Sequence, residues 1–252
     1  MKTILITGAG TGIGAATARQ LASHMDLRLV LAGRRLDKLQ EVLALLPNPD
    51  RHTSVSMDIS NPESIRQGLQ SAGVSSLYGL FANAGVGGEN TYGESDRWNR
   101  IIDINLSGTY YTVMECLPLL RRDNEAYTNV LITSSCLAKF GVPNYTAYCA
   151  SKTGLLGMTR ALAVELASEK ILVNALCPGW VDTEMAREGI QLLADRAGVP
   201  YEEAYKEQMG YVPLGKMSTP EELGKVAEFY LTNTEVSTTG QSIDVNNGAF
   251  MI

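Results

Sequence analysis

Thr7-Gly8-Ala9-Gly10-Thr11-Gly12-Ile13-Gly14 is the stretch of this 252-residue chain on which the fold turns. A short apolar run over 2–7 leads into it, a helical pattern over 12–24 leaves it, and a second apolar run follows at 27–32. Strand, glycine turn, helix and strand within about thirty residues make a dinucleotide-binding unit. Glycine suits such a turn because a side chain would hold the backbone away from a pyrophosphate. The helix start then offers that anion free N–H groups and the positive end of its dipole. Glycine also serves any tight strand–helix connection, so the position of the turn carries the reading. The spacing Gly8-x3-Gly12-x-Gly14 departs from the GxGxxG fingerprint.

The same rhythm continues outward. Strands are expected at 2–7, 27–32, 53–57, 77–82, 129–134, 171–176 and 242–245, and helices near 12–24, 35–46, 61–72, 96–121, 147–168 and 220–232. This alternation predicts an α/β fold, a Rossmann-type doubly wound, seven-stranded parallel sheet with helices on both faces. No linker or repeat interrupts it, so residues 1–252 are expected to form a single dinucleotide-binding catalytic domain. Ser60-Asn61-Pro62-Glu63 reads as a capping box, and Thr219-Pro220-Glu221-Glu222 as a cap, a proline and an acidic first turn. Residues 184–212 have a helical pattern and no strand partner, which predicts a substrate lid beyond a strand's carboxyl end.

Bulk properties narrow the function. Net charge is −6, and the basic clusters reach no further than Arg34-Arg35 and Arg121-Arg122, a poor match for nucleic acid or an anionic membrane surface. Four cysteines (116, 136, 149 and 177) form no CxxC pair, and with only His24 and His52 beside them no metal site is expected. The thiols read as reduced and Cys136 and Cys149 as small core residues, while both histidines are expected at the surface. The N-terminal apolar run is too short for a signal peptide, and no stretch approaches the ~20 apolar residues of a membrane span, so a cytoplasmic protein is expected.

Two features would complete an adenosine site. Asp58, at the end of the third strand, can accept from the adenine amino group. About twenty residues past the glycines, where an NAD enzyme holds a carboxylate for the ribose 2′-OH, stands Gly33-Arg34-Arg35. Two guanidiniums there can pair with a 2′-phosphate, so NADP(H) is preferred, with NAD(H) as the alternative. Asp37 comes later and opens the second helix.

Tyr148-Cys149-Ala150-Ser151-Lys152 begins a helix, and a spacing of four puts Tyr148 and Lys152 on one face. An ammonium near a phenol favours the phenolate, which predicts a tyrosine pKa drawn down from about 10. Such a tyrosine can exchange a proton with a carbonyl or alcohol oxygen. Ser135, at the carboxyl end of the fifth strand, can hydrogen-bond the same oxygen.

With these pieces in place the chain resembles the short-chain dehydrogenase/reductases over essentially its whole length. The resemblance rests on TGAGTGIG at 7–14, Asp58, Ala82-Asn83-Ala84-Gly85, Asn105-Leu106-Ser107-Gly108, Ser134-Ser135, Tyr148-x3-Lys152 and Pro178-Gly179-Trp180-Val181-Asp182-Thr183. It implies a catalytic tetrad of Asn105, Ser135, Tyr148 and Lys152. Tyr148 would be the acid/base and Ser135 would steady the substrate oxygen. Lys152 would hold the nicotinamide ribose, and Asn105 would position a water in a proton relay. The implied cofactor surface comprises Gly8, Thr11, Gly12, Ile13, Gly14, Arg34, Arg35, Asp58, Ile59, Asn83, Ala84, Gly85, Tyr148, Lys152, Pro178, Gly179, Val181 and Thr183. Val181 and Thr183 look like the carboxamide pair, presenting the B face of the nicotinamide.

Ala82 stands where the family usually shows a first asparagine, which predicts a packing adjustment with intact chemistry, and Asn247-Gly248 replaces a frequent Gly-Gly pair. The expected reaction is hydride transfer between a ketone or 3-oxo substrate and its secondary alcohol. The weighed alternatives are an NAD-dependent secondary alcohol dehydrogenase, a longer epimerase-like relative and a non-catalytic dinucleotide sensor. Helix 147–168 is apolar around much of its circumference, and in the family the helix pair 96–121 and 147–168 forms subunit contacts, implying a homotetramer or a dimer. The lid offers Met185, Ile190, Leu192, Leu193, Tyr205, Met209, Tyr211 and Val212 for a partly apolar pocket, with Arg187, Glu188 and Lys206 as polar residues. Lid and tail bear a faint likeness to 3-oxoacyl and polyketide ketoreductases.

Overall fold

A computed structural model describes residues 1–121, 126–233 and 237–251. Seven strands form one parallel sheet: β1 (Lys2–Thr7), β2 (Leu27–Gly33), β3 (Thr53–Ser56), β4 (Gly79–Ala82), β5 (Thr128–Thr133), β6 (Ile171–Pro178) and β7 (Ser242–Val245). Their order is β3-β2-β1-β4-β5-β6-β7, so the chain reverses direction across the sheet between β1 and β4. That switch point opens a crevice at the carboxyl ends of the strands, where open α/β sheets bind ligands.

Apolar alternation divides each central strand between two covered faces. Leu5 points into a cluster with Val30, Leu80, Val130 and Val173. Ile4 and Ile6 point into the opposite one with Leu29, Leu31, Phe81 and Leu131. The first face is covered by α3 (Pro62–Ser71), α5 (Gly108–Leu120) and α6 (Thr146–Leu166). The second is covered by α1 (Gly12–Leu21), α2 (Leu36–Ala44) and α9 (Pro220–Thr232). A Cβ at Gly224 would sit 3.1 Å from the Ala16 carbonyl carbon, so α9 meets α1 nearly backbone to backbone.

Three local expectations change. The helix expected over 96–121 is α4 (Trp98–Ile102), a π turn (Asp103–Ser107) and then α5. Asn61 caps α3 by accepting from the Glu63 N–H at 3.0 Å, while the Ser60 hydroxyl donates to Asp58 Oδ1 instead. Thr219 and Glu222 do form the reciprocal capping box. His52 is buried, not superficial: its Nδ1 accepts from the Leu29 N–H and its Nε2 donates to the Pro47 carbonyl. His24 lies at an element end as expected and pairs with Glu228 at 2.5 Å. Arg122 lies outside the described residues.

The lid segment folds as α7 (Glu184–Ala197) and α8 (Tyr201–Gly210), closed by a left-handed Gly198. Ile190, Met209 and Val212 are buried in a small cluster of α7, α8 and Met217, with Trp180 and Tyr205 packed on it. Arg187 pairs with Asp182, and Arg196 pairs with Glu89 of the loop after β4.

Candidate active site

The glycine turn has the conformation its composition asks for. Gly8 and Gly12 hold φ of +67° and +53°, a region that side-chain-bearing residues avoid. A Cβ on Gly14 would overlap the Gly8 carbonyl and stand 2.8 Å from Asn83 Nδ2. Thr11 begins α1 in extended backbone and makes no side-chain cap, leaving the first N–H groups of the helix to another acceptor. A Cβ on Gly12 would lie 3.1 Å from Thr183 Cγ2, so the glycine turn borders the segment that starts α7. Thr183 itself caps α7 and donates to the Val181 carbonyl.

Asn83 braces the turn against three strands. It donates to the Thr7 carbonyl, accepts from the Thr133 hydroxyl at 3.0 Å and, with Ala84, donates its backbone N–H to Thr7 Oγ1. Ala82 is buried beside it, and the bracing survives the missing first asparagine. Asp58 spends Oδ1 on Ser60. Ile59 is buried against Gly108. Arg34 and Arg35 are exposed at the end of β2 and make no ion pair among the described residues. Gly179 backs onto Asn246 after the buried Pro178.

The chemistry-bearing side chains gather at the same edge of the sheet. Ser135 leaves β5 in extended backbone, and its Oγ accepts from the Leu137 N–H at 3.1 Å, which keeps its own proton available. Ser135 lies beside Tyr148, where its hydroxyl favours the phenolate. Lys152, one turn on and 4% exposed, places Nζ 5.6 Å from the Tyr148 ring centre and donates to the Thr133 carbonyl at 2.8 Å. Ser134 fastens the helix by donating to the Lys152 carbonyl. Asn105 is fully buried in the π turn. Its side chain accepts from the Val86 N–H at 2.8 Å, donates to the Val86 carbonyl at 2.9 Å and reaches Ser151 Oγ at 3.3 Å. A Cβ on Gly85 would lie 3.1 Å from Asn105 Oδ1 and 3.6 Å from Lys152 Nζ, so the loop after β4 floors the space between them.

The electrostatics run opposite to the expectation for the tyrosine. Burial pushes the Tyr148 phenol up to about 12, with the Ser135 hydroxyl pulling the other way. Burial likewise brings the Lys152 ammonium down to about 8. The one hydrogen-bond partner of the Lys152 ammonium is the neutral Thr133 carbonyl, which leaves its desolvation without a compensating charge. Burial also pushes the Cys136 thiol up, and among the described residues no group of three His, Cys, Asp or Glu could hold a metal ion.

Asn90 belongs to this neighbourhood and escaped the sequence reading. It sits in a glycine-flanked loop without periodicity, and its partners at 146–147 are remote in sequence. No local signal marks it.

A family model described as short chain dehydrogenase matches residues 2–191. The 3-oxoacyl-(acyl-carrier-protein) reductase FabG of Rickettsia prowazekii (strain Madrid E) is 30% identical, over 100% of this chain and 98% of its own. Cyclohexanol dehydrogenase of Acinetobacter sp. (strain SE19) is 30% identical, over 99% and 94%. Among solved structures, an actinorhodin polyketide ketoreductase variant with NADPH superposes with a TM-score of 0.91 at 28% identity, covering 98% of this chain and 97% of that one. With the parallel sheet, the glycine turn and the Ser135–Tyr148–Lys152 cluster on one edge, this chain belongs to the short-chain dehydrogenase family and is an oxidoreductase.

Proposed function

We propose that this protein is an NADP(H)-dependent ketoreductase that converts a ketone or 3-oxo substrate to its secondary alcohol, with Tyr148 as the acid. The observation that carries the reading is the shared edge: the Tyr148 phenol beside Ser135 and the buried Lys152 ammonium, next to a turn that side chains would block. The turn at 8–14 and the start of α1 would hold the pyrophosphate, Asp58 and Ile59 the adenine side, and Arg34 and Arg35 a 2′-phosphate. Asn83, Ala84, Gly85, Pro178, Gly179, Val181 and Thr183 would border the nicotinamide half. When bound, the cofactor supplies the hydride.

The chain's own residues account for the proton. A phenol with a pKa of about 12 is neutral near pH 7 and so is a donor, which suits reduction better than alcohol oxidation. Ser135 orients the carbonyl oxygen, since its own proton stays free for that bond. The proton that leaves Tyr148 is replaced through Lys152, whose pKa of about 8 lets it hold and release protons near neutrality. Asn105, tied to Val86 and Ser151, supports the wall beside Lys152.

The similarity to a cyclohexanol dehydrogenase favours a second reading, NAD-dependent alcohol oxidation at the same site. Fluorescence titration with NADPH and NADH separates the two. The proposal expects NADPH to bind about ten- to a hundredfold tighter, a preference lost in Arg34→Ala. Equal or tighter NADH binding would move the reading to the dehydrogenase.

We also place the enzyme in the cytoplasm as a homotetramer or a dimer. No helix among the described residues is long and apolar enough to cross a membrane. The outward side of α6 presents Thr153, Gly157, Arg160 and Val164 at helical spacing, with Val164 82% exposed, a surface that a second copy would cover. Light scattering on the eluting protein checks this, and a monomer would refute it.

A further inference from the structure

α6, which carries Tyr148 and Lys152, and α4, which leads to Asn105, both begin without a cap of their own. The residues at the starts of α4 and α6, Arg97 and Tyr145, make no side-chain capping bond. Both caps come from the loop between β4 and α4, through Asn90 and Asp96. Asn90 is 9% exposed, and its side-chain oxygen, side-chain nitrogen and backbone N–H are all hydrogen-bonded. Its Oδ1 accepts from the Ala147 N–H at 2.8 Å and the Thr146 hydroxyl at 3.0 Å. Its Nδ2 donates to Asp96 Oδ1 at 3.2 Å, and its backbone N–H donates to the Asn144 carbonyl at 2.8 Å. The same Asp96 oxygen accepts from the Trp98 N–H at 3.0 Å, at the first residue of α4.

We infer that Asn90 and Asp96 form a positioning pair, which locks the first turn of α6 so that Tyr148 meets Ser135 and which fixes α4 leading to Asn105. The inference rests on the catalytic reading above. Ala147 is fully buried, so its N–H has no water to turn to when Asn90 is removed. Tyr148 is the next residue along, and any shift of the freed turn moves the phenol directly. The neighbouring Glu89 is ion-paired to Arg196 of the lid, so the loop carrying the pair is held from both sides.

The amide–carboxylate pairing makes a role in positioning separable from general loss of structure. In Asn90→Asp the Ala147 and Thr146 bonds can still form, but two carboxylates then face each other. In the reciprocal exchange Asn90→Asp with Asp96→Asn, a carboxylate at position 90 accepts from α6 and from the amide now at 96. Because Asp96 Oδ1 serves both Asn90 Nδ2 and the Trp98 N–H, the amide at 96 can return only one of those two bonds, so the exchange restores the α6 cap and the 90–96 bond and gives up the Trp98 bond at the start of α4.

The test is amide hydrogen exchange over residues 146–150, with turnover of NADPH and the best substrate of a ketone and 3-oxoacyl thioester panel. NADPH binding is titrated in parallel. Asn90→Ala is expected to raise exchange at 147–149 at least about tenfold. Its kcat should fall about ten- to a hundredfold, with KM and the NADPH Kd within about twofold. Asn90→Asp alone should lie between, and the double exchange should restore protection at 147–149 and raise kcat above that of Asn90→Asp alone. Unchanged exchange in Asn90→Ala would overturn the inference, as would a double exchange no better than Asn90→Ala. So would an NADPH Kd that weakens in step with kcat. Full activity in Tyr148→Phe would instead remove the catalytic reading, and the exchange result would still decide whether the pair locks α6.

Discussion

Replacing Lys152 by Met should leave the protein more stable than the parent at neutral pH, and the advantage should fade as pH rises. The side chain is 4% exposed and has one neutral hydrogen-bond partner, the Thr133 carbonyl. Its pKa falls from 10.5 to about 8 on folding, mainly through desolvation. Because the folded value is the lower one, the unfolded chain binds more protons between pH 8 and 10.5, and stability rises with pH across that window. At pH 7 both forms are largely protonated, and the cost of holding the charge inside is about 3 kcal/mol. At pH 9.5 about 1 kcal/mol of that cost remains, so the parent should gain about 2 kcal/mol relative to Lys152→Met between the two conditions. Urea unfolding of both proteins at pH 7.0 and 9.5, at one protomer concentration and without cofactor, measures this difference of differences. Groups common to both chains cancel. A stability gap between the two proteins that does not change with pH, or one that grows, would refute the desolvation argument.

Three further outcomes follow from particular contacts. Gly14→Ala forces a Cβ onto the Gly8 carbonyl, so chemical denaturation should show a loss of about 1–3 kcal/mol, and titration should show NADPH binding largely lost. Thr219→Ala removes the capping box of α9, remote from Tyr148, and should cost about 1 kcal/mol in the same assay with kcat unchanged. His52, whose pKa burial lowers from 6.5, favours its neutral form when folded, so its contribution to stability is lost as pH falls below 6.5. His52→Gln should therefore flatten the decline in melting temperature between pH 7 and 5, and an unchanged slope would contradict that.

Strand and glycine chemistry was the most legible part of the sequence. β1 and β7 run over the residues expected, because a short apolar run bounded by turn residues is a local signal. Tyr148 and Lys152 lie side by side as their spacing implies, since an i, i+4 pair shares a face wherever its helix is docked. Other features depend on contacts that sequence spacing does not encode. The π turn at 103–107 needs the Val86 backbone to receive Asn105, which a helical pattern over 96–121 cannot reveal. Ile190, Met209 and Val212 look the same in sequence whether they face a ligand or a private core. The direction of the Tyr148 shift turns on how much water the fold removes, which sequence proximity to Lys152 does not report. Asn90 is found only once α6 is seen to begin uncapped.

The central claim is that Tyr148 delivers the proton in NADPH-dependent carbonyl reduction. Its most direct test is turnover of NADPH on the ketone and 3-oxoacyl thioester panel by the parent and by Tyr148→Phe, with NADPH binding measured on both. The account predicts that the variant binds NADPH as the parent does while kcat falls about 10²–10⁴-fold on every substrate the parent accepts. A Tyr148→Phe protein that keeps most of its turnover would contradict it.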